Sequence, residues 1–95
     1  TSVRSLTENA LTRLHIFPNP GMDRVRLALD LEVDATVRIR VMDAQGRLHH
    51  QDQWDLQAGN AHGDLETAGW PQGIYLVEVL HQGGFGLERL LIRRP

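Results

Sequence analysis

The sequence predicts an all-β domain, a seven-stranded antiparallel sandwich, and three observations carry that expectation. Apolar residues recur with a period of two in several short runs. Clusters of Gly, Pro, Asn and Asp separate those runs at short intervals. No stretch of useful length holds the helical period of apolar positions. At 95 residues the chain is about two thirds of the ~150 residues usual for one domain, so a single domain is expected. A domain of this size buries roughly 60–65% of its unfolded surface, enough for one modest core.

Residues 1–12 are polar and aperiodic and read as a linker or lead-in, leaving residues 13–95 as the domain. A short strand is expected over residues 14–17. From Arg24 onward Val25, Leu27, Leu29 and Leu31 alternate with Arg24, Arg26, Ala28 and Asp30, the pattern of a half-buried strand. Val37, Ile39 and Val41 repeat it against Arg38, Arg40 and Met42. Paired as a hairpin, these two strands would set Leu31 opposite Val37, Leu29 opposite Ile39 and Asp30 opposite Arg38. Asp43-Ala44-Gln45-Gly46-Arg47 is a turn signal, with Asp43 to accept a backbone N–H and Gly46 to take the left-handed conformation. A third long strand spans residues 48–56, where Asp52 on the apolar parity requires an exposed edge or a bulge. Ala58-Gly59-Asn60 reads as a turn and residues 62–67 as a short strand around Leu65. Trp70-Pro71-Gln72-Gly73 reads as a turn. Residues 74–80 follow, with Tyr75, Val77 and Val79 on one face and Ile74, Leu76 and Leu80 on the other. Gly83-Gly84 then leads into a last strand over residues 85–92.

Composition narrows the function classes. There is no cysteine and no lysine, and the only serines are Ser2 and Ser5. These absences remove thiolate nucleophiles, thiolate metal sites and the P-loop. The formal net charge of −2, with few aromatics, does not suit a nucleic-acid binder. The charge is segregated: residues 48–88 carry six acids and no arginine, whereas residues 89–95 add three arginines. The basic Arg93-Arg94-Pro95 end reads as solubilisation of an edge strand, with receptor contact as the sharper alternative.

Candidate chemistry is sparse. His49 and His50 are adjacent and should point to opposite faces of a strand, while His15, His62 and His81 lie in other segments without zinc-ligand spacing. Asp30, Glu32 and Asp34 lack the glycine and the downstream glutamate of a calcium loop. The strand region offers only Thr36 and Thr67 as hydroxyl nucleophiles. Asp52, Asp55, Asp64 and Glu66 are near in sequence, but a sandwich this small has little room for the pocket that paired carboxylates need. The expectation is a non-enzymatic domain without cofactor or metal.

Four motifs occur in a specific order. Ile16-Phe17-Pro18-Asn19-Pro20 comes first and Asp43-Ala44-Gln45-Gly46-Arg47 second. Pro71-Gln72-Gly73-Ile74-Tyr75-Leu76-Val77-Glu78-Val79 follows, and Glu88-Arg89-Leu90-Leu91-Ile92 closes the series. Together, over residues 14–94, they resemble the C-terminal sorting domain of the type IX (Por) secretion system of Bacteroidota. The resemblance implies an immunoglobulin-like sandwich that directs an upstream cargo protein across the outer membrane. It also implies later removal by a sortase-type peptidase and a secreted or cell-surface location reached through the periplasm and outer membrane. Partners so implied are the translocation and sortase machinery and the cargo of the same precursor. No nucleic acid and no membrane insertion is expected, and the domain should be a monomer or a weak dimer through an edge strand.

Carried over residue by residue, the recognition motif comprises Pro18, Asn19 and Pro20, the turn residues Asp43, Gly46 and Arg47, and Gly73, Tyr75, Val77 and Val79. It ends with Arg89, Leu90 and Ile92, Arg89 standing where the family usually has lysine. About two thirds of these residues are expected to make the fold rather than the contact, leaving the machinery to read the domain's shape and an exposed last strand. Deleting residues 86–95 should stop export, and Thr1 in place of methionine fits a tail separated from its cargo. The alternative is an immunoglobulin-like accessory module binding carbohydrate or protein at the cell surface, which would require Trp54 or Trp70 to be exposed. A structural spacer is a third reading.

Overall fold

The computed structural model describes residues 13–94. The lead-in expected over residues 1–12 lies outside the described residues. Seven strands run through the described residues: β1 (Leu14–Phe17), β2 (Arg24–Leu31), β3 (Ala35–Met42), β4 (Leu48–Leu56), β5 (Gly59–Glu66), β6 (Gly73–His81) and β7 (Gly84–Ile92). They form two antiparallel sheets, ordered β1-β2-β5 and β4-β3-β6-β7. The predicted all-β sandwich is present, and its strand order is immunoglobulin-like, the fourth strand lying in the second sheet.

The alternation that marks each strand becomes the two inner faces. Val25, Leu27, Leu29 and Leu31 of β2, with Ala61 and Leu65 of β5, cover Val37, Ile39 and Val41 of β3 and Tyr75, Val77 and Val79 of β6. Leu90 and Ile92 of β7 close the same core. Each fully buried Val, Leu or Ile contributes about 1.5–3 kcal/mol relative to exposure.

The expected β2–β3 hairpin does not form. β2 pairs with β1 and β5, β3 with β4 and β6, and the short Glu32-Val33-Asp34 link carries the chain between sheets. Asp30 therefore lies opposite Asn60, and Arg38 between Gln53 and Leu80. A period of two dictates which face a residue takes, not which strand lies beside it. The arginines of β2 do occupy a solvated face, where Arg24 meets Glu66 at 2.6 Å and Arg26 meets Asp64 at 2.9 Å.

β5 is longer than its sequence suggests. Gly59 and Asn60 are poor strand formers, yet they pair with Leu31 and Asp30, so the expected turn there is replaced by strand. Asp52 is exposed on β4, an edge strand, and accepts hydrogen bonds from the Gln53 N–H and from Trp54 Nε1. The Trp54 ring itself lies over Gly63 of β5, where an added Cβ would sit 2.7 Å from the indole.

Candidate functional site

An up-and-down run of antiparallel strands brings alternate loops to the same end of the sandwich. Residues 18–23, 43–47 and 67–72, together with Arg93 and Arg94, consequently converge there. All four sequence motifs touch this end.

The central turn has the geometry its residues predict. Asp43 Oδ1 accepts the backbone N–H groups of Gln45 (2.9 Å) and Arg47 (3.0 Å), and the Gly46 N–H donates to the Asp43 carbonyl at 2.9 Å. Gly46 has φ +84°, where a side chain is disfavoured. The Arg47 N–H, ahead of the other donors, holds the Asp43 carboxyl below the usual carboxylate range.

A β-bulge at Val41/Met42 follows from this turn. Met42 pairs with Leu48 and Val41 with His50, leaving His49 as the extra residue. Alternation is broken there, so the two imidazoles do not take the opposite environments expected of neighbours on a strand. The centroid of His49 lies 4.6 Å and that of His50 5.6 Å from the Trp70 ring. Tyr75 completes the cluster at 5.1 Å from His49 and 5.3 Å from Trp70. Its hydroxyl donates to the Pro71 carbonyl at 2.6 Å. That is the tyrosine corner of immunoglobulin-like sandwiches, at the start of the strand after the crossover from β5. Burial, with Asp43 adding to it, raises the Tyr75 hydroxyl above its ordinary pKa. Trp54 and Trp70 are both half-buried and pack against the core.

The Pro18-Asn19-Pro20 turn, whose two prolyl peptide bonds are cis, docks on β7. Asn19 Nδ2 donates to the Arg89 carbonyl at 2.8 Å, and Asn19 Oδ1 accepts the Leu91 N–H at 3.0 Å. The Gly21 N–H donates to the Leu91 carbonyl and the Arg93 N–H to the Gly21 carbonyl, at 2.8 and 3.0 Å. One amide side chain and one glycine thus stand in for a neighbouring strand along the second half of β7. The last strand expected to be exposed is therefore closed over 89–93. Glu88, exposed although it shares the core-facing parity, guards the next stretch.

Arg94 is the residue the sequence reading misjudged most. Its guanidinium donates to the Thr67 carbonyl (2.8 Å), the Trp70 carbonyl (2.9 and 3.1 Å) and Asp23 (3.0 Å), and its backbone N–H donates to Gln72 Oε1 (2.8 Å). It is a knot that ties the chain end to two loops rather than a free basic tail, because only a planar fork can satisfy two carbonyls and a carboxylate together. Thr67, considered above only as a hydroxyl, is fully buried and donates from Oγ1 to the Met22 carbonyl at 2.9 Å. Of the alternating acids Asp30, Glu32 and Asp34, Asp34 accepts the Ala58 N–H at 2.8 Å.

The motif residues therefore divide. Tyr75, Val77, Val79, Leu90 and Ile92 are buried in the core, and Asp43, Gly46 and Asn19 build turns and docking. Pro18, Pro20, Arg47 and Arg89 are exposed, and Gly73 is half-buried at the start of β6. Of the motifs, the structure joins the first and the last directly, through Asn19. No signal in the sequence marked Arg94, but Asn19 carried one. Set between two prolines, its side chain is the group best placed to hydrogen bond outward.

A seven-stranded sandwich whose loops knot together at one end defines a small β module of the immunoglobulin-like class. The model of the secretion system C-terminal sorting domain family matches residues 15–93, and the chain belongs to that family. It is a family of sorting signals rather than of enzymes. A search of curated proteins finds no match to the chain.

Proposed function

We propose that this domain is the secretion address of a larger precursor, directing an upstream cargo across the outer membrane by the type IX system. A sortase-type peptidase then removes it, and the cargo is released or held at the cell surface. The family match over residues 15–93 is the observation that supports this reading. The physical logic agrees with it: the motif residues are spent mostly on making one rigid shape, as suits an address read as a folded object. The recognition residues carried by this reading are Pro18, Pro20, Arg47 and Arg89, which leave side chains at the surface.

The test is to place the full chain behind a periplasmic reporter in a host that has the type IX system. The reporter should appear outside the cells with a mass lacking the domain; retention in the periplasm overturns the reading. The informative control is Val77→Asp, which puts a charge into a fully buried site, unfolds the domain and should abolish export. Deletion of residues 86–95 is a poorer control, because it also removes Leu90 and Ile92 from the core.

A further inference from the structure

The two sheets differ on their outer faces. On the β1-β2-β5 sheet the outward residues of β2 and β5 are Arg24, Arg26, Asp30, Glu66, Asp64 and His62 among others, the polar surface expected of a sheet with one solvated side. On β6 and β7 the alternation fails. Ile74, Leu76 and Leu80 point outward from β6, and Phe85, Leu87 and Leu91 from β7; Ile74 faces Leu91 and Leu80 faces Phe85, while Leu76 lies opposite Arg89 and Leu87 opposite Glu78. Ile74 is 50%, Leu76 41% and Leu87 43% exposed. An apolar row of this kind on a small domain marks a docking surface.

We propose that this outer face of β6–β7 is where the export machinery docks, through an apolar protein surface fringed with carboxylates; this rests on the sorting-domain reading. Charge identifies the partner. Arg38 borders the apolar residues beside Leu80 and Arg89 lies among them opposite Leu76; neither forms an ion pair among the described residues, while Arg40 is held by Glu78 at 3.3 Å. Beside Arg89 lies a cleft of about 410 Å³ lined by Asn19, Pro20, Ile74, Glu88, Arg89 and Leu91, so the first, third and last motifs form its walls. A guanidinium over apolar walls suits a carboxylate presented on an apolar surface. Strand addition to β7 is disfavoured by the Asn19 and Gly21 hydrogen bonds over 89–93 and by Glu88. A second copy of the domain presents the same unpaired arginines, and the carboxylate of its outer face, Glu78, is already held by Arg40. An anionic lipid surface, which spreads negative charge under the whole domain, is opposed by the net charge of −2.

The experiment compares export of the reporter carrying the full chain, the Leu76→Ser/Leu87→Ser variant and Arg89→Glu. These side chains are exposed, so melting temperatures should stay near the parent's. Export should fall roughly tenfold in each, as for truncation of a central docking residue, and Arg89→Lys should recover much of it. Arg89→Glu alters no apolar contact, so a folding defect in the serine variant would not decide the matter. If the parent is exported and Arg89→Glu is exported equally well, the docking face is overturned and the sorting reading stands. If the parent is not exported while a native substrate of the host is, both fall. Co-sedimentation of the parent with phosphatidylglycerol vesicles, or a dimer in solution that Leu87→Ser dissolves, would also overturn the proposal; a monomer that stays in the supernatant supports it.

Discussion

Glycine and asparagine do more at single positions here than the exposed ion pairs do. Gly63 exists to let the Trp54 indole lie flat on β5, since a Cβ there would be 2.7–3.0 Å from three ring atoms. Gly63→Ala should cost about 1–2 kcal/mol, because overpacking of ~1–3 kcal/mol outweighs the ~0.5–1 kcal/mol that alanine returns through backbone entropy. Chemical denaturation followed by tryptophan fluorescence checks this, and an unchanged midpoint would mean that the half-buried ring moves aside freely. The exposed ion pairs are weaker terms. Arg24–Glu66 joins two side chains that are both mostly exposed, so it contributes at most about 1 kcal/mol and fades with salt. Single residues were legible where they encode backbone geometry, as at Asp43 and Gly46. They were not legible where their partner comes from far along the chain, as with Gly63 and Trp54.

Edges decide behaviour at the scale of the element. β7 closes one side of the larger sheet, and the Asn19 side chain satisfies the Arg89 carbonyl and the Leu91 N–H, 70 and 72 residues away in sequence. Asn19→Ala should lower stability by about 1 kcal/mol, the net value of exposed hydrogen bonds of this kind. It should also reopen the edge, so that sedimentation shows association rising with concentration while the parent stays unchanged. Equal sedimentation of variant and parent would show that Gly21 and Glu88 protect the edge without Asn19. All the strands but β5 were readable from sequence nearly to their ends, from clean alternation or a strong turn beside them. β5 was readable only in its second part, around Leu65, because Gly59 and Asn60 become strand only through pairing with β2. The bulge that brings His49 and His50 to one ring was equally hidden, since it depends on how β4 meets β3.

For the whole molecule, the titratable groups predict loss of stability in acid. Hydrogen bonds and nearby arginines lower the folded-state pKa of Asp43, mainly through the Arg47 N–H, and of Asp64, mainly through Arg26. A depressed carboxyl contributes stability that is complete above its unfolded value of about 4 and lost as pH falls through the folded value. Burial lowers the pKa of His81, so its share of the loss begins earlier, as pH drops below about 6.5. Thermal melts should therefore decline gently below pH 6.5 and steeply below pH 4. Asp64→Asn should flatten the steep part, and a melting temperature independent of pH between 3 and 7 would contradict the assignment. Salt should weaken the Asp64–Arg26 share more than the Asp43 share, because exposed charges are screened whereas backbone N–H bonds are local.

Fold class, the inward face of nearly every strand and the chemistry of the Asp43–Gly46 turn are all legible in the order of residues. Each of these is a local consequence of period-two burial or of backbone conformation. The sequence also carries the order of motifs by which the family is read. Which strands are neighbours is set by the packed fold, since alternation is the same whichever strand lies alongside. The packed fold alone turned Arg94 from a loose basic tail into a knot and closed half of β7 with Asn19. It alone left the outer face of β6–β7 bare, because whether an outward leucine is covered depends on what the rest of the chain places above it.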